Sequence, residues 1–314
     1  MKILVTGGAG FIGHYVTLIF QELGHDVIIQ DNLTSYGVTK PRLMKRLHDA
    51  RLQTFTGHFL KSPIEEHITR THIDIHCPNM IVHLASFPRA KLVNDNPAVG
   101  VPTMTTGLMN LLVSGARNDI KRFVYISSSM VYGDYEIAHE GDVCKPGSIY
   151  ATLKLAGEQI TKTFAKKHGF CYTIIRPSAV YGPNDVEDRV VSKFLLSAMK
   201  DKILRVNGEF EILDFSYVTD VAEGIVLASL NDAGKDETFN ITCGTAKYIS
   251  EAAQLMINTV DSGRIKFCDR NPSMPSRGYL SISKARELLG YNPTISIQEG
   301  FKLYYDWAKS FYSV

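Results

Sequence analysis

Thr6-Gly7-Gly8-Ala9-Gly10-Phe11-Ile12-Gly13 follows directly on the apolar run Lys2–Thr6. A strand, a glycine turn and an amphipathic stretch from Phe11 onward come in that order, the context that gives a glycine pattern meaning. Gly7 permits the tight turn, Gly10 leaves no side chain against a pyrophosphate, and Gly13 lets the helix pack close to the strand. The free N–H groups at the helix start then favour phosphates. The turn predicts a dinucleotide site, with Phe11 and Ile12 beside the glycines.

The next apolar run, Asp26–Gln30, leads into Asp31-Asn32-Leu33. Asp31 lies about 20 residues beyond the glycines, where a carboxylate accepts hydrogen bonds from the adenosine ribose. A carboxylate there repels a 2′-phosphate, so NAD is expected rather than NADP. Asn32 and Leu33 share that turn. Leu84, Ala85 and Ser86, at the end of the run Met80–Leu84, should lie along the cofactor.

Further apolar runs occur at Leu52–Phe55, Phe123–Ser127 and Tyr172–Arg176. Helical patterns begin near Phe11, Pro41, Ser62, Pro97 and Tyr150. Six strands alternating with helices predict an α/β chain with a Rossmann-type, doubly wound parallel sheet. After Arg176 the rhythm breaks at Pro177, Gly182, Pro183 and Asn184. Short strands at Ile203–Val206, Asp214–Val218 and Thr238–Ile241 then alternate with helices near Val190, Asp220, Ser250, Ser283 and Ser296. The expected division is an NAD-binding Rossmann domain over 1–176, with returning segments near 212–245, and a smaller C-terminal α/β substrate lobe over 177–314. The active site is expected between the two.

Bulk properties exclude several classes. The 314 residues carry a formal charge of +2, without a basic run that would follow a nucleic-acid backbone. The five cysteines, Cys77, Cys144, Cys171, Cys243 and Cys268, are widely spaced and suit a reducing cytosol better than a disulfide framework or a zinc site. No apolar run approaches a bilayer span, and a cytoplasmic location without membrane partner is expected. His67, His72 and His76 read as a polar helix surface rather than a metal site. Phe301, Tyr304, Tyr305, Trp307 and Phe311 have the spacing of a helix packed on the lobe.

Tyr150 and Lys154 stand four residues apart at the start of a helix, so they share one face. An ammonium near the phenol favours phenolate, which a general base requires. The Phe123–Ile126 strand delivers Ser127-Ser128-Ser129-Met130-Val131-Tyr132-Gly133 to the same sheet edge, where a hydroxyl can hold a substrate oxygen.

With these segments on view, the chain resembles the extended short-chain dehydrogenase/reductase family, in its nucleotide-sugar epimerase and dehydratase branch. The likeness rests on T-G-G-A-G-F-I-G at 6–13, D-N-L at 31–33, H-L-A at 83–85, S-S-S-M-V-Y-G at 127–133 and Y-A-T-L-K at 150–154. It continues through R-P-S-A-V-Y-G-P at 176–183, D-F-S-Y-V-T-D-V-A at 214–222 and S-K-A-R-E-L-L-G-Y-N-P at 283–293. The resemblance implies that Tyr150 is the base, that Lys154 holds the nicotinamide ribose and that Ser128 is the hydroxyl partner. It also places Pro177 at the cofactor and Ser129 at the substrate, and implies a homodimer through helices at Pro97–Arg117 and Tyr150–His168.

The chain departs from the branch at several places. The Asp-Glu pair that dehydratases carry is replaced by Ser129 and Met130, which argues against 4,6-dehydration. Two residues expected at a substrate diphosphate are Ala179 and Leu213. Two usual cofactor contacts are His58 and Met104. Arg277 remains as the candidate diphosphate ligand, or as a tie between the C-terminal helices and the lobe. Arg89 and Lys91 either add charge over the sugar or phosphates, or are solvated. The resemblance implies a nucleotide-sugar 4-epimerase working through a 4-keto intermediate. A nucleotide-sugar (including heptose) 4-dehydrogenase or ketoreductase shares its hydride chemistry, and a non-catalytic NAD sensor is the reading from another class.

Overall fold

The structure, a computed structural model, describes residues 1–35, 37, 39–87, 90–272 and 274–312. Seven parallel strands form the central sheet in the spatial order Glu237–Asn240, Cys171–Arg176, Arg122–Ile126, Met80–His83, Lys2–Thr6, Asp26–Asp31 and His58–Lys61. Chain order reverses on either side of Lys2–Thr6, which makes its carboxyl end the topological switch point where such sheets bind ligands. The strand Glu237–Asn240 pairs with Cys171–Arg176 in the register Asn240↔Arg176.

Strands buried on both faces need continuous apolar runs. Ile3, Val5, Val82, Val124, Ile126 and Ile175 meet one set of helices, whereas Leu4, Ile28, Ile81, Phe123 and Ile174 meet the other. One polar pair inside this sheet joins neighbouring strands: the Thr6 hydroxyl lies 2.8 Å from Nδ1 of His83. A second apolar cluster, including Phe194, Leu204, Met256, Phe301 and Tyr304, fills the C-terminal part. Among the described residues there are also four two-stranded sheets, of which Ile203–Asn207 with Arg264–Cys268, packed on this cluster, and Tyr135–Ala138 with Arg277–Leu280, packed with Val131 and Tyr132, are the longest.

Three expectations are corrected. The third strand is His58–Lys61, not Leu52–Phe55. Leu52 instead ends the helix Pro41–Leu52, and the Phe55 N–H donates to the Leu52 carbonyl in a turn. The helix expected from Ser62 starts at Ile68. The intervening carbonyls of Ile64 and Glu65 accept from the Asn110 side chain, so they have no need of helical partners. The helix expected over Pro97–Arg117 is broken into a 3-10 turn at Pro97–Val99, a π-type turn at Pro102–Gly107 and an α-helix at Leu108–Arg117. Pro97 and Pro102 bring no N–H to a continuous helix. Among the described residues no helix is long and apolar enough to cross a membrane.

Candidate active site

A cavity of about 540 Å³ opens at the carboxyl ends of the central strands and extends toward Arg205, Asn207 and Arg277. Its floor is the glycine turn. Gly7 has φ +72°, and a Cβ there would meet the Ala85 nitrogen at 2.6 Å; a Cβ at Gly13 would meet the Gly7 carbonyl oxygen at 2.0 Å. The turn thus tolerates no side chain at either place, and its backbone stays open to a ligand. Gly10, Phe11, Ile12, Leu84, Ala85 and Ser86 join it along the cavity wall.

Asp31 also lines this cavity. Its carboxylate accepts from the Ala9 N–H at 3.1 Å and from the Leu33 N–H at 2.8 Å, which fixes it beside the turn. Burial raises its pKa; these two hydrogen bonds and the charge of Arg51 act the other way. Asn32 lines a small adjoining cavity with Ile64 and Thr103. Leu33 lines neither; its contribution is the backbone N–H to Asp31. The rigid glycine cradle, the carboxylate at its rim and the free helix start fit NAD.

The helix Ile149–His168 begins at Ser148, whose hydroxyl accepts from the Ala151 N–H at 3.3 Å. That cap places Tyr150 in the first turn, and the side chain of Asn94 accepts the Tyr150 N–H at 3.0 Å. Tyr150, Lys154 and Glu158 recur at a spacing of four and are all buried. The Lys154 ammonium donates to the Ile126 carbonyl at 2.8 Å. Burial holds it down at about 7, with the Glu158 carboxylate opposing. Glu158 itself accepts from Arg176 Nη2 at 2.7 Å and Nε at 2.9 Å, and from the Ser127 hydroxyl.

The strand Arg122–Ile126 runs out into Ser127 and Ser128. Ser128 caps the short helix Ser129–Tyr132 and hydrogen-bonds the Tyr150 phenol. Ser129 is buried behind it, its hydroxyl donating to Ser178 at 3.2 Å and its N–H to the Pro177 carbonyl at 2.9 Å. Ser128, Ser129, Pro177, Tyr150 and Lys154 all line the cavity. Burial raises the phenol of Tyr150; the charge of Arg189 and the bond with Ser128 lower it.

At the far end of the cavity, Ala179 and Leu213 form apolar lining, and Arg277 faces the same space. Arg277 opens a strand in register with Tyr135, and its Nε is buried without a hydrogen-bond partner. Lys91 is not brought in: its ammonium pairs with Asp95 at 2.6 Å one turn along its own helix, and the side chain is 77% exposed. Arg89 lies outside the described residues. Met130 packs with Tyr150 and Met104, an apolar surface where dehydration would need an acid.

Sequence reasoning missed Arg51, Asp185, Arg189, Arg205 and Arg270, all on the cavity wall. Arg51 was legible in part: Met44, Leu47, His48 and Arg51 repeat at helical spacing and form the buried face of their helix. The others sit in loops or on an exposed strand, where no local pattern marks them.

The family model for the NAD dependent epimerase/dehydratase family matches residues 3–242. A putative UDP-glucose 4-epimerase of Methanocaldococcus jannaschii is 30% identical, with 98% of each chain covered. The UDP-glucose 4-epimerase of Thermotoga maritima, solved with UDP-glucose, superposes with a TM-score of 0.89 at 28% identity, covering 99% of both chains. The UDP-glucuronic acid 4-epimerase of Bacillus cereus, solved with UDP-glucuronic acid and NAD, gives 0.91 at 26% identity, covering 99% of this chain and 100% of that one.

Proposed function

The chain belongs to the NAD-dependent epimerase/dehydratase family, and we propose that it is a nucleotide-sugar 4-epimerase acting through a 4-keto sugar. One observation carries the reading: a single cavity joins the glycine turn, Ser128, Tyr150 and Lys154 to an arginine-bearing end formed by Arg277 and Arg205. The first part suits a dinucleotide and an alcohol, the second a diphosphate. The relatives solved with UDP-glucose and UDP-glucuronic acid make UDP-sugars the first substrates to test.

NAD, when bound, takes up and returns the hydride. The glycine turn and Asp31 would hold its pyrophosphate and adenosine ribose, and Lys154 its nicotinamide ribose. Tyr150, with Ser128 at its phenol, accepts the proton of the sugar 4-hydroxyl and later gives it back. Turnover of the keto sugar before the hydride returns exposes its other face, which inverts the carbon. Met130, being apolar, supplies no acid for loss of water at C6.

Proton NMR of the protein with NAD and a panel of UDP-, GDP-, CDP- and dTDP-sugars tests this. Interconversion of one pair of C4 epimers is expected. Tyr150→Phe should lower turnover by roughly 10²–10⁴-fold while NAD still binds. Stoichiometric NADH with a released keto sugar would make the protein a 4-dehydrogenase, and inertness to the whole panel would remove the nucleotide-sugar reading.

A further inference from the structure

The helix Pro41–Leu52 stands between the cavity and the end of the chain. Met44, His48 and Arg51, from its buried face, line the cavity. Arg51 Nη1 donates to the Ala9 carbonyl at 3.1 Å, so this wall belongs to the glycine-turn end. Met44 and Leu47 also pack with Val186, Trp307 and Phe311 in one apolar cluster. Arg46, on the same helix, donates through Nη2 to the Phe311 carbonyl, and its guanidinium lies 4.6 Å from the centre of the Phe311 ring.

Trp307 and Phe311 come from the helix Ile297–Tyr312. Phe301, Tyr304 and Ala308 anchor that helix in the C-terminal core with Phe194 and Met256. Its last turns then carry stacked rings, Tyr304 with Trp307 at 5.6 Å and Trp307 with Phe311 at 4.7 Å. Aromatic rings bury a large area with few rotatable bonds, so a short segment can hold a neighbouring helix in place. Tyr304 adds a polar tie. Its hydroxyl lies 2.9 Å from that of Ser192, which donates to the Asp185 carboxylate at 3.4 Å. Asp185 and Val186 are cavity residues, and Arg51 donates to the Asn184 carbonyl just before them at 3.1 and 2.6 Å.

We infer that the end of the helix Ile297–Tyr312 is a strap for the cofactor: Trp307 and Phe311, with Arg46 on the Phe311 carbonyl, fasten the helix Pro41–Leu52 and the loop at Asp185–Val186 over the dinucleotide end of the cavity. NAD then enters and leaves only when this seat parts. The inference rests on NAD lying against the glycine turn. Arg46, Trp307 and Phe311 do not themselves line the cavity, so they act on NAD through the wall they hold. That gives the strap a kinetic signature. Loosening it lowers the cost of opening and speeds uptake and release together, whereas loss of a direct ligand contact speeds release alone.

The test loads the full chain with adenine-labelled NAD, chases with excess unlabelled NAD and follows release by rapid gel filtration. Uptake by nucleotide-free protein is measured beside it. Arg46→Ala and, independently, Phe311→Ala should each raise the release rate on the order of tenfold, with uptake rising alongside. Arg46 is only half-buried, so its replacement keeps the test available if the phenylalanine variant does not fold. Trp307 is the one tryptophan among the 314 residues, so acrylamide quenching of its emission reads the seat directly and should increase in both variants. Increased quenching with unchanged uptake and release overturns the strap, and so does faster release with uptake unmoved. Unchanged quenching in the folded variants overturns it as well, because the seat then does not depend on these groups. An unaltered protein that holds no labelled NAD would overturn the cofactor assignment and this inference with it, so the two failures are distinguishable.

Discussion

Arg51 donates to the carbonyl of Asn184 through both Nε and Nη2, and with Nη1 to the carbonyl of Ala9. One buried guanidinium thus joins the glycine turn to the loop before the helix Val190–Ala198. Arg51→Ala leaves those carbonyls without their donor, and the expected loss is about 2–3 kcal/mol of unfolding free energy. Chemical denaturation would show it, and NAD should bind more weakly because the turn loses its brace. Unchanged stability would mean that water replaces the guanidinium.

Asp31 should decide the cofactor. Its carboxylate is held by two backbone N–H groups at the rim of the glycine turn, where a 2′-phosphate would meet like charge. Calorimetry is expected to show NAD binding well ahead of NADP. Asp31→Ala should weaken NAD by roughly 10–100-fold and bring the two cofactors closer. Equal binding of both by the unaltered protein would contradict the assignment.

Lys154 gives stability a particular pH dependence. Its ordinary value is 10.5, and burial holds it at about 7 in the folded chain. Between these limits the unfolded chain binds more protons, so folding stability rises as pH increases from 7 toward 10.5. Each pH unit of that displacement corresponds to about 1.4 kcal/mol. Urea denaturation of nucleotide-free protein at several pH values should show this slope, and Lys154→Met should flatten it. Parallel slopes in the two proteins would show that the ammonium is not desolvated as the structure has it.

Arg277 is expected to carry an unusual share of diphosphate binding, since Ala179 and Leu213 offer only apolar lining beside it. Arg277→Ala should raise KM for the sugar nucleotide roughly 10–100-fold with NAD affinity unchanged. A folded variant with normal KM would assign Arg277 to holding its strand beside Tyr135–Ala138.

Association is the fifth expectation. The helices Leu108–Arg117 and Ile149–His168 are proposed to pair with their copies in a two-fold dimer, the commonest closed symmetry. Ile149, exposed at the start of the second helix, would be covered. Light scattering at micromolar concentration should give twice the chain mass, and a strict monomer would remove the proposal.

The sequence by itself determined what rests on local spacing. Gly7, Gly10 and Gly13 specify a turn within eight residues, Asp31 ends the very next strand, and Tyr150 with Lys154 needs only a helix to share a face. Such features survive because strand, turn and helix each have a fixed period. Tertiary structure alone decided the rest. Residues Leu52–Phe55 have the composition of a strand, yet Gly57 must pass close to the Val27 carbonyl before pairing can start at His58. The cations follow the same rule: Arg51, Arg189 and Arg277 come from a helix, a helix boundary and a strand, and share no spacing. Lys91 had the better local context and turned outward to Asp95. Charge at a site depends on which distant segments the packed core brings to one wall, and a long cationic side chain gives no periodic sign of the direction it will take.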